Sequence, residues 1–275
     1  MTTDADALQR LHEVLDGLGA MAVAVSGGVD SLTLATAAHR HAGARVEMFH
    51  AVSAAVPPEA TRRVEALAAR ESWRLRLVRP GELERPDYVA NPVDRCLHCK
   101  RALYTTIAAT LAPHTDAQLL SGANLDDLGD YRPGLQAARE SGVRHPLIEA
   151  GIDKATVRML ARRLGLGRLA ELPASPCLSS RVETGIAINA PMLGRIDAAE
   201  RLLREDTGAA DVRCRVRQAG VVIEIDADAL ARLGGERRER LAGRIAALFG
   251  RDGAAAPPRF EAYRRGSAFL RNAHD

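Results

Sequence analysis

The stretch Ala24–Ser31, AVSGGVDS, sets two glycines, two hydroxyls and a carboxylate between an apolar run and a helical pattern, and it has no lysine. Glycines allow a tight turn and a close backbone approach, and the N-terminus of the following helix favours negative charge. Ser26, Gly27, Gly28, Val29, Asp30 and Ser31 therefore read as a cradle for phosphate, with the serines adding hydroxyl donors. Asp30 would be repelled by bare phosphate, so its expected role is to hold a magnesium ion that bridges phosphates.

The four cysteines are the second source of chemistry. Cys96-x-x-Cys99 has metal-ligand spacing, and Cys177 sits in the polar stretch PASPCLSSR, an unlikely place for a core cysteine. The thiolate is the reactive form, and Arg181 could lower the pKa of the Cys177 thiol. Cys214 differs: in DVRCRVRQ, alternation puts Val212, Cys214 and Val216 on one strand face, which reads as core. Arg213, Arg215 and Arg217 then share the other face. Only Lys100 and Lys154 are lysines among the 38 basic residues, so a retained lysine points to a need for a compact ammonium.

The elements that must position these groups alternate. AMAVAVS is a buried strand, SLTLATAAHRHAG a helix stopped by Gly43, ARVEMFHAVS a strand, PPEATRRVEALAARES a helix and WRLRLVRP a strand. HCKRALYTTIAATLAPH reads as a helix, AQLLSGAN as a strand and DKATVRMLARRLGL as a helix opened by an Asp cap. This order predicts an α/β domain with a parallel sheet covered on both faces. Residues 81–95, polar and broken by Pro86 and Pro92, are expected to form a mobile loop. Beyond Gly185 a helix, a two-stranded hairpin around Ala219–Gly220 and further helix predict a smaller α+β domain. The expected division is 1–184 and 185–275.

At 47% hydrophobic and 27% charged, the chain has the composition of a globular protein, and no run approaches the ~18 apolar residues of a membrane span. The N-terminal stretch reads as an amphipathic helix rather than a signal peptide, and the expected location is the cytoplasm. The net charge of +3, with arginines scattered among acids, argues against a nucleic-acid partner.

SGGVDS in this setting resembles the PP-loop of the N-type ATP pyrophosphatases, an adenine nucleotide alpha hydrolase-like fold in which pyrophosphate leaves and AMP is transferred. The missing lysine fits, because a Walker lysine serves cleavage at the γ-phosphate. NPVDRCLHCKRALY (91–104), SGANLDDLGDYRPG (121–134), PASPCLSSR (173–181), VRCRVR and FEAYRRGS together resemble the LarE family, over almost the whole chain. That family makes ATP-dependent sulfur transferases of nickel-pincer cofactor synthesis. The resemblance implies that a carboxylate of pyridinium-3,5-biscarboxylic acid mononucleotide is adenylated, captured by sulfur and converted to a thiocarboxylate. It assigns Asn124, Asp127, Asp130 and Arg132 to the nucleotide, Lys100 to the leaving pyrophosphate and Cys177 to catalysis. It assigns Arg213 and Arg215, with Arg181 beside them, to the substrate phosphate, and Glu200 and Glu224 to a divalent metal. Cross-strand ion pairs explain Glu224 almost as well. The resemblance also implies a homo-oligomer, a hexamer among the states open to it.

Some LarE-like proteins carry one sacrificial cysteine, while others hold a [4Fe–4S] cluster on three. Cys96, Cys99 and Cys177 have the ligand count for an open cluster carrying sulfide, which is the favoured expectation. Zinc, with His98 or water as fourth ligand, competes. Supplied sulfide and sacrificial loss of the Cys177 sulfur are the two sources. A tRNA thiolase is the nearest alternative enzyme, against which the weak net charge stands.

Overall fold

The computed structural model describes residues 4–111, 116–129, 133–250 and 257–264. Its helices and strands begin with α1 (Asp4–Asp16), β1 (Met21–Ala24), α2 (Val29–Ala42), β2 (Val46–Ala51), α3 (Pro58–Glu71) and β3 (Leu75–Val78). There follow α4 (Pro86–Val89), α5 (Arg95–Thr110), β4 (Gln118–Ser121), α6 (Pro133–Glu140), α7 (Pro146–Glu149) and α8 (Lys154–Arg163). The remainder comprises α9 (Ala190–Thr207), β5 (Val212–Arg217), β6 (Gly220–Ile225), α10 (Ala227–Arg232), α11 (Gly235–Phe249) and β7 (Arg259–Ala262). The chain forms two compact units, Met1–Glu82 with Cys96–Ser175, and Leu83–Arg95 with Pro176–Asp275.

The first unit is built on a four-stranded parallel sheet in the order β3-β2-β1-β4. Met21 of β1 stands opposite Val46 of β2 on one side and Gln118 of β4 on the other. Every residue of β1 is buried, because both faces are covered. Met21, Val23 and Val25 join one core with Leu11, Leu15, Leu32 and Leu160, while Ala22 and Ala24 join another with Phe49, Tyr104 and Ile107. That double burial is why the strand reads as an unbroken apolar run rather than an alternation. The chain order reverses between β1 and β4, and in such sheets the crevice beyond the carboxyl ends at that point is where ligands bind.

The second unit has a three-stranded sheet in the order β5-β6-β7, with β5–β6 antiparallel and β6–β7 parallel. Helix α9 starts at Asn189, whose side chain accepts from the Met192 amide at 2.9 Å, and stops at Gly208 in the left-handed region at φ 68°. It buries Leu193, Ile196, Ala199 and Leu203, a spacing of three and four that keeps one face on the core. FEAY, read without an element of its own, supplies β7.

Two expectations are corrected. Residues 81–95 are not a mobile loop: they carry α4 and bury Tyr88, Asn91 and Arg95. Their polar side chains turn inward because protein groups far along the chain satisfy them, Ser179 for Tyr88 at 2.6 Å and the Glu183 and Ile186 carbonyls for Asn91 at 2.8 and 3.0 Å. The second unit takes in this segment and starts at Pro176, ahead of the expected boundary near 184. The turn Leu178–Arg181 belongs with α9 and β5, to which Arg181 and the Ser180 carbonyl are tied.

Asp153 caps α8 by accepting from the Thr156 amide at 2.8 Å. Hydrogen bonds from the Thr156 side chain and amide hold its carboxyl below the usual aspartate range. A depressed pKa means the contribution is present above the unfolded-state pKa and is lost as pH falls through the folded one. Asp153→Ala should cost about 1 kcal/mol at neutral pH. Denaturant midpoints of the two proteins should converge on acidification.

Candidate active site

The loop after β1 is shaped from behind by β2 and α3. His50 of β2 is buried, and burial lowers its pKa. In the neutral ring Nδ1–H donates to the Val25 carbonyl at 2.8 Å and Nε2 accepts from the Thr61 hydroxyl at 2.9 Å. Arg63 of α3 donates to the Gly27 carbonyl at 2.6 Å. Gly27 has φ 83°, and a Cβ there would lie 2.9 Å from the Ala60 carbonyl oxygen, so only glycine fits. Ser31 Oγ donates to the Gly28 carbonyl at 3.0 Å and lies 3.1 Å from Ser26 Oγ. The carbonyls are taken up behind, and the first-turn amides of α2 have no acceptor within the helix.

Asp30 is held on both oxygens. Lys154 Nζ donates to Oδ2 at 2.5 Å and Asn124 Nδ2 to Oδ1 at 3.2 Å. Asn124 is itself fixed by a reciprocal cap: its Oδ1 accepts from the Asp126 amide at 3.0 Å, and its amide donates to Asp127 Oδ2 at 3.1 Å. Asn124 thus meets the loop at Asp30 and Asp127 braces Asn124, while Asp130 and Arg132 lie outside the described residues. Lys154 was visible only as a rare lysine. Its capped helix was legible; its partner, 124 positions away, was not. An oxygen ligand of this kind suits magnesium, but as found Asp30 is neutralised by an ammonium.

Three more residues gather here without a sequence signal that singled them out. A Cβ on Gly122 would stand 2.8 Å from Ser31 Cα, so β4 exits directly against the loop. Ser121 Oγ lies 2.8 Å from His145 Nδ1. Burial lowers the His145 pKa; Glu149 opposes this, the Lys100 ammonium adds to it, and Asp127 opposes it. Lys100, on α5, also lies 5.7 Å from the centre of the Tyr104 ring. Lys100 and Asp127 are therefore each within electrostatic reach of His145.

Cys96 and Cys99 occupy the first turn of α5 at a spacing of three, which sets them on one helix face. Two thiolates so placed fit a metal or cluster in type, yet an open cluster needs three. Cys177 belongs to the second unit, and among the described residues no three His, Cys, Asp or Glu side chains are grouped to hold a metal ion.

The second unit carries Cys177, half-buried, at the head of the turn Leu178–Arg181. Its carbonyl accepts from the Ser180 amide at 3.0 Å, Ser180 Oγ at 2.8 Å and Arg181 Nη1 at 3.1 Å. Arg181 is buried and paired with Glu200 through Nε at 2.8 Å and Nη2 at 3.1 Å. Its charge is therefore shared with a carboxylate rather than directed at the thiol alone. Glu200 also accepts from Arg204 at 2.9 Å and from the Cys214 amide at 3.1 Å. Burial raises the Glu200 pKa, but the Arg181 and Arg204 cations and the amide outweigh it, and the carboxyl stays ionised.

The hairpin repeats this pattern. Arg215 and Arg217 both donate to Glu224, at 3.0 and 2.7 Å, and Arg213 packs over the Tyr263 ring at 5.1 Å. Burial and the adjacent Arg181 lower the Arg213 pKa. Glu200 and Glu224 are thus ion-paired, each between two arginines, and Asp211 and Glu261 lie 3.8 and 3.6 Å from Arg213 and Arg217. Cys214 faces the core as expected. Burial, with the Glu200 carboxylate, pushes its thiol well above the usual range, so it stays protonated.

The comparisons bear on this arrangement. No family model matches the sequence. An uncharacterised Synechocystis protein is 38% identical over 79% of this chain and 81% of its own length. The pyridinium-3,5-bisthiocarboxylic acid mononucleotide synthase of Lactiplantibacillus plantarum is 31% identical over 82% of this chain and 81% of its own. The chain belongs to the LarE family. An uncharacterised Methanocaldococcus jannaschii protein is 28% identical over 55% of this chain and 58% of its own length. Among the described residues of this LarE-family chain no helix is long and apolar enough to cross a membrane.

Gly122→Ala tests the close approach of β4 to the loop. The added methyl meets backbone, which cannot swing aside, so nucleotide affinity should fall. The first unit's unfolding midpoint should drop by an amount equivalent to about 1–3 kcal/mol of overpacking. Titration calorimetry with ATP and thermal denaturation are the measurements.

Proposed function

We propose that this chain is an adenylate-forming sulfur transferase that converts a carboxylate of a pyridinium mononucleotide to a thiocarboxylate. The observation that carries the reading is the lysine-free SGGVDS loop at the carboxyl edge of the parallel sheet, with Lys154 and Asn124 converging on Asp30. The printed name of the Lactiplantibacillus relative supports the product class.

The loop amides, the Ser26 and Ser31 hydroxyls and Lys154 hold the β- and γ-phosphates, and Asp30 would hold a magnesium ion, which when bound would offset phosphate charge. The substrate carboxylate oxygen attacks the α-phosphorus. The bond to pyrophosphate breaks, and pyrophosphate leaves with the electron pair, its charge met by Lys154 and Lys100. The resulting acyl adenylate has a good leaving group. Arg213, Arg215 and Arg181 hold the substrate phosphate. The Cys177 thiolate attacks the acyl carbon, a C–S bond forms, and AMP leaves with the C–O bonding pair. Removal of the Cys177 Cα proton then drives cleavage of the Cβ–Sγ bond, leaving dehydroalanine on the chain and the thiocarboxylate as product.

Cys96, Cys99 and Cys177 would hold the [4Fe–4S] cluster of the favoured expectation, which when bound supplies a sulfide in place of the cysteine sulfur. The cysteine types support that form. The steps above take the sulfur from Cys177 itself, the other of the two sources.

With ATP and the dicarboxylate substrate, the protein should release pyrophosphate and AMP and form thiocarboxylate, followed by mass spectrometry. Cys177→Ala should keep pyrophosphate release and form no thiocarboxylate. Lys154→Ala should lower pyrophosphate release about ten- to a hundredfold, the rate equivalent of one charge-assisted contact. No pyrophosphate from the parent protein would overturn the reading. Iron analysis of anaerobic protein separates the sulfur sources. About four irons per chain, lost on changing any of Cys96, Cys99 or Cys177, supports the cluster. Iron-free protein with dehydroalanine at 177 after one turnover supports the sacrificial form.

A further inference from the structure

The segment Leu83–Arg95 does no chemistry in the steps above, yet it is laced to the residues that flank Cys177 on the C-terminal side. Tyr88, from α4, is fully buried, and its hydroxyl lies 2.6 Å from Ser179 Oγ, two positions after Cys177. Asn91 is also fully buried and sits at φ 56°, a backbone conformation that costs a non-glycine residue strain. Its side-chain amide donates to the Glu183 carbonyl at 2.8 Å and the Ile186 carbonyl at 3.0 Å, and its acceptor oxygen takes a bond from Arg95. The backbone adds two more ties: the Gly185 amide donates to the Asn91 carbonyl and the Ile188 amide to the Val89 carbonyl, both at 2.9 Å.

We propose that Leu83–Arg95 is the strap that holds the Cys177 turn in its working geometry, with Tyr88 and Asn91 as positioning residues for the sulfur-transfer step. The turn Leu178–Arg181 is a single 3-10 turn, too short to hold its own shape. Its inner side needs a partner, and Tyr88 supplies it at Ser179. Asn91 closes the far end, where its buried amide supplies donors to the half-buried carbonyls of an irregular segment. A strained, fully buried asparagine that satisfies two such carbonyls is more than filler: apolar packing alone would leave them unpaired. The consequence is selective. Loosening the strap should disturb the reach of Cys177 to an acyl adenylate and leave adenylation, which uses the loop after β1, untouched.

This inference rests on the sulfur-transfer reading, and the experiment separates the two. Tyr88→Phe keeps the buried ring and removes only the hydroxyl. Pyrophosphate release should match the parent, while single-turnover formation of thiocarboxylate should slow about three- to tenfold, the rate equivalent of one neutral hydrogen bond. Ser179→Ala should slow the same step, and the double variant no further than either single one, because both remove one interaction. As a readout independent of turnover, iodoacetamide labelling of Cys177, read by peptide mass, should accelerate by a similar factor in Tyr88→Phe. Asn91→Gly, which suits the backbone angle and deletes the amide, should reproduce both effects. Equal slowing of both steps, additive slowing in the double variant, or unchanged labelling would overturn the strap. A parent protein that releases no pyrophosphate overturns the function instead, and the labelling result still decides the strap.

Discussion

A glycine-rich turn that leads from a buried strand into a helix must have its inward carbonyls paired away from water. Here that constraint is met by long-range polar contacts. His50 takes the Val25 carbonyl, Arg63 takes the Gly27 carbonyl, and the backbone of α3 comes so close to Gly27 that no side chain fits. Everything else in the first unit follows from keeping this loop still. The buried β1 run anchors its front, α2 continues behind it, and β4 exits against Ser31 through Gly122. An unpaired buried carbonyl at either position would cost about 1–3 kcal/mol, enough to let so glycine-rich a loop rearrange.

The site's electrostatics rest on arginines and lysines used for different ends. Lys154 is a compact ammonium on a helix N-terminus, able to leave one anion for another by rotating its stem. Arg181 and Arg215 of the second unit are the opposite: planar, buried and held by Glu200 and Glu224. Burying so many charges carries a desolvation cost that the pairs only partly return. Glu200 and Glu224 serve in this arrangement as counter-ions to the arginines around them.

The two cysteine environments diverge for the same reason. Cys214 lies in the core beside Glu200, where a thiolate is disfavoured twice over. Cys177 stands at the head of a short turn, half-buried, its backbone pinned by three donors and by the strap beyond.

Much of the chain was legible without coordinates. The apolar run of β1, the Asp153 cap, the stop at Gly43, the hairpin around Ala219–Gly220 and the SGGVDS loop are all local patterns, written within a few residues of themselves. They determined the parallel α/β first unit and marked the loop, Asn124, Cys177 and the hairpin arginines. The meetings were decided by tertiary structure: Lys154 with Asp30, 124 positions apart, and Tyr88 with Ser179, 91 apart. Residues 81–95 read as a mobile loop because polar side chains and prolines signal solvent, unless the chain elsewhere supplies their hydrogen bonds. A sequence states the donors and acceptors that a segment owns. Which distant groups satisfy them depends on packing, because hydrogen-bond partners brought together by the fold leave no periodicity to read.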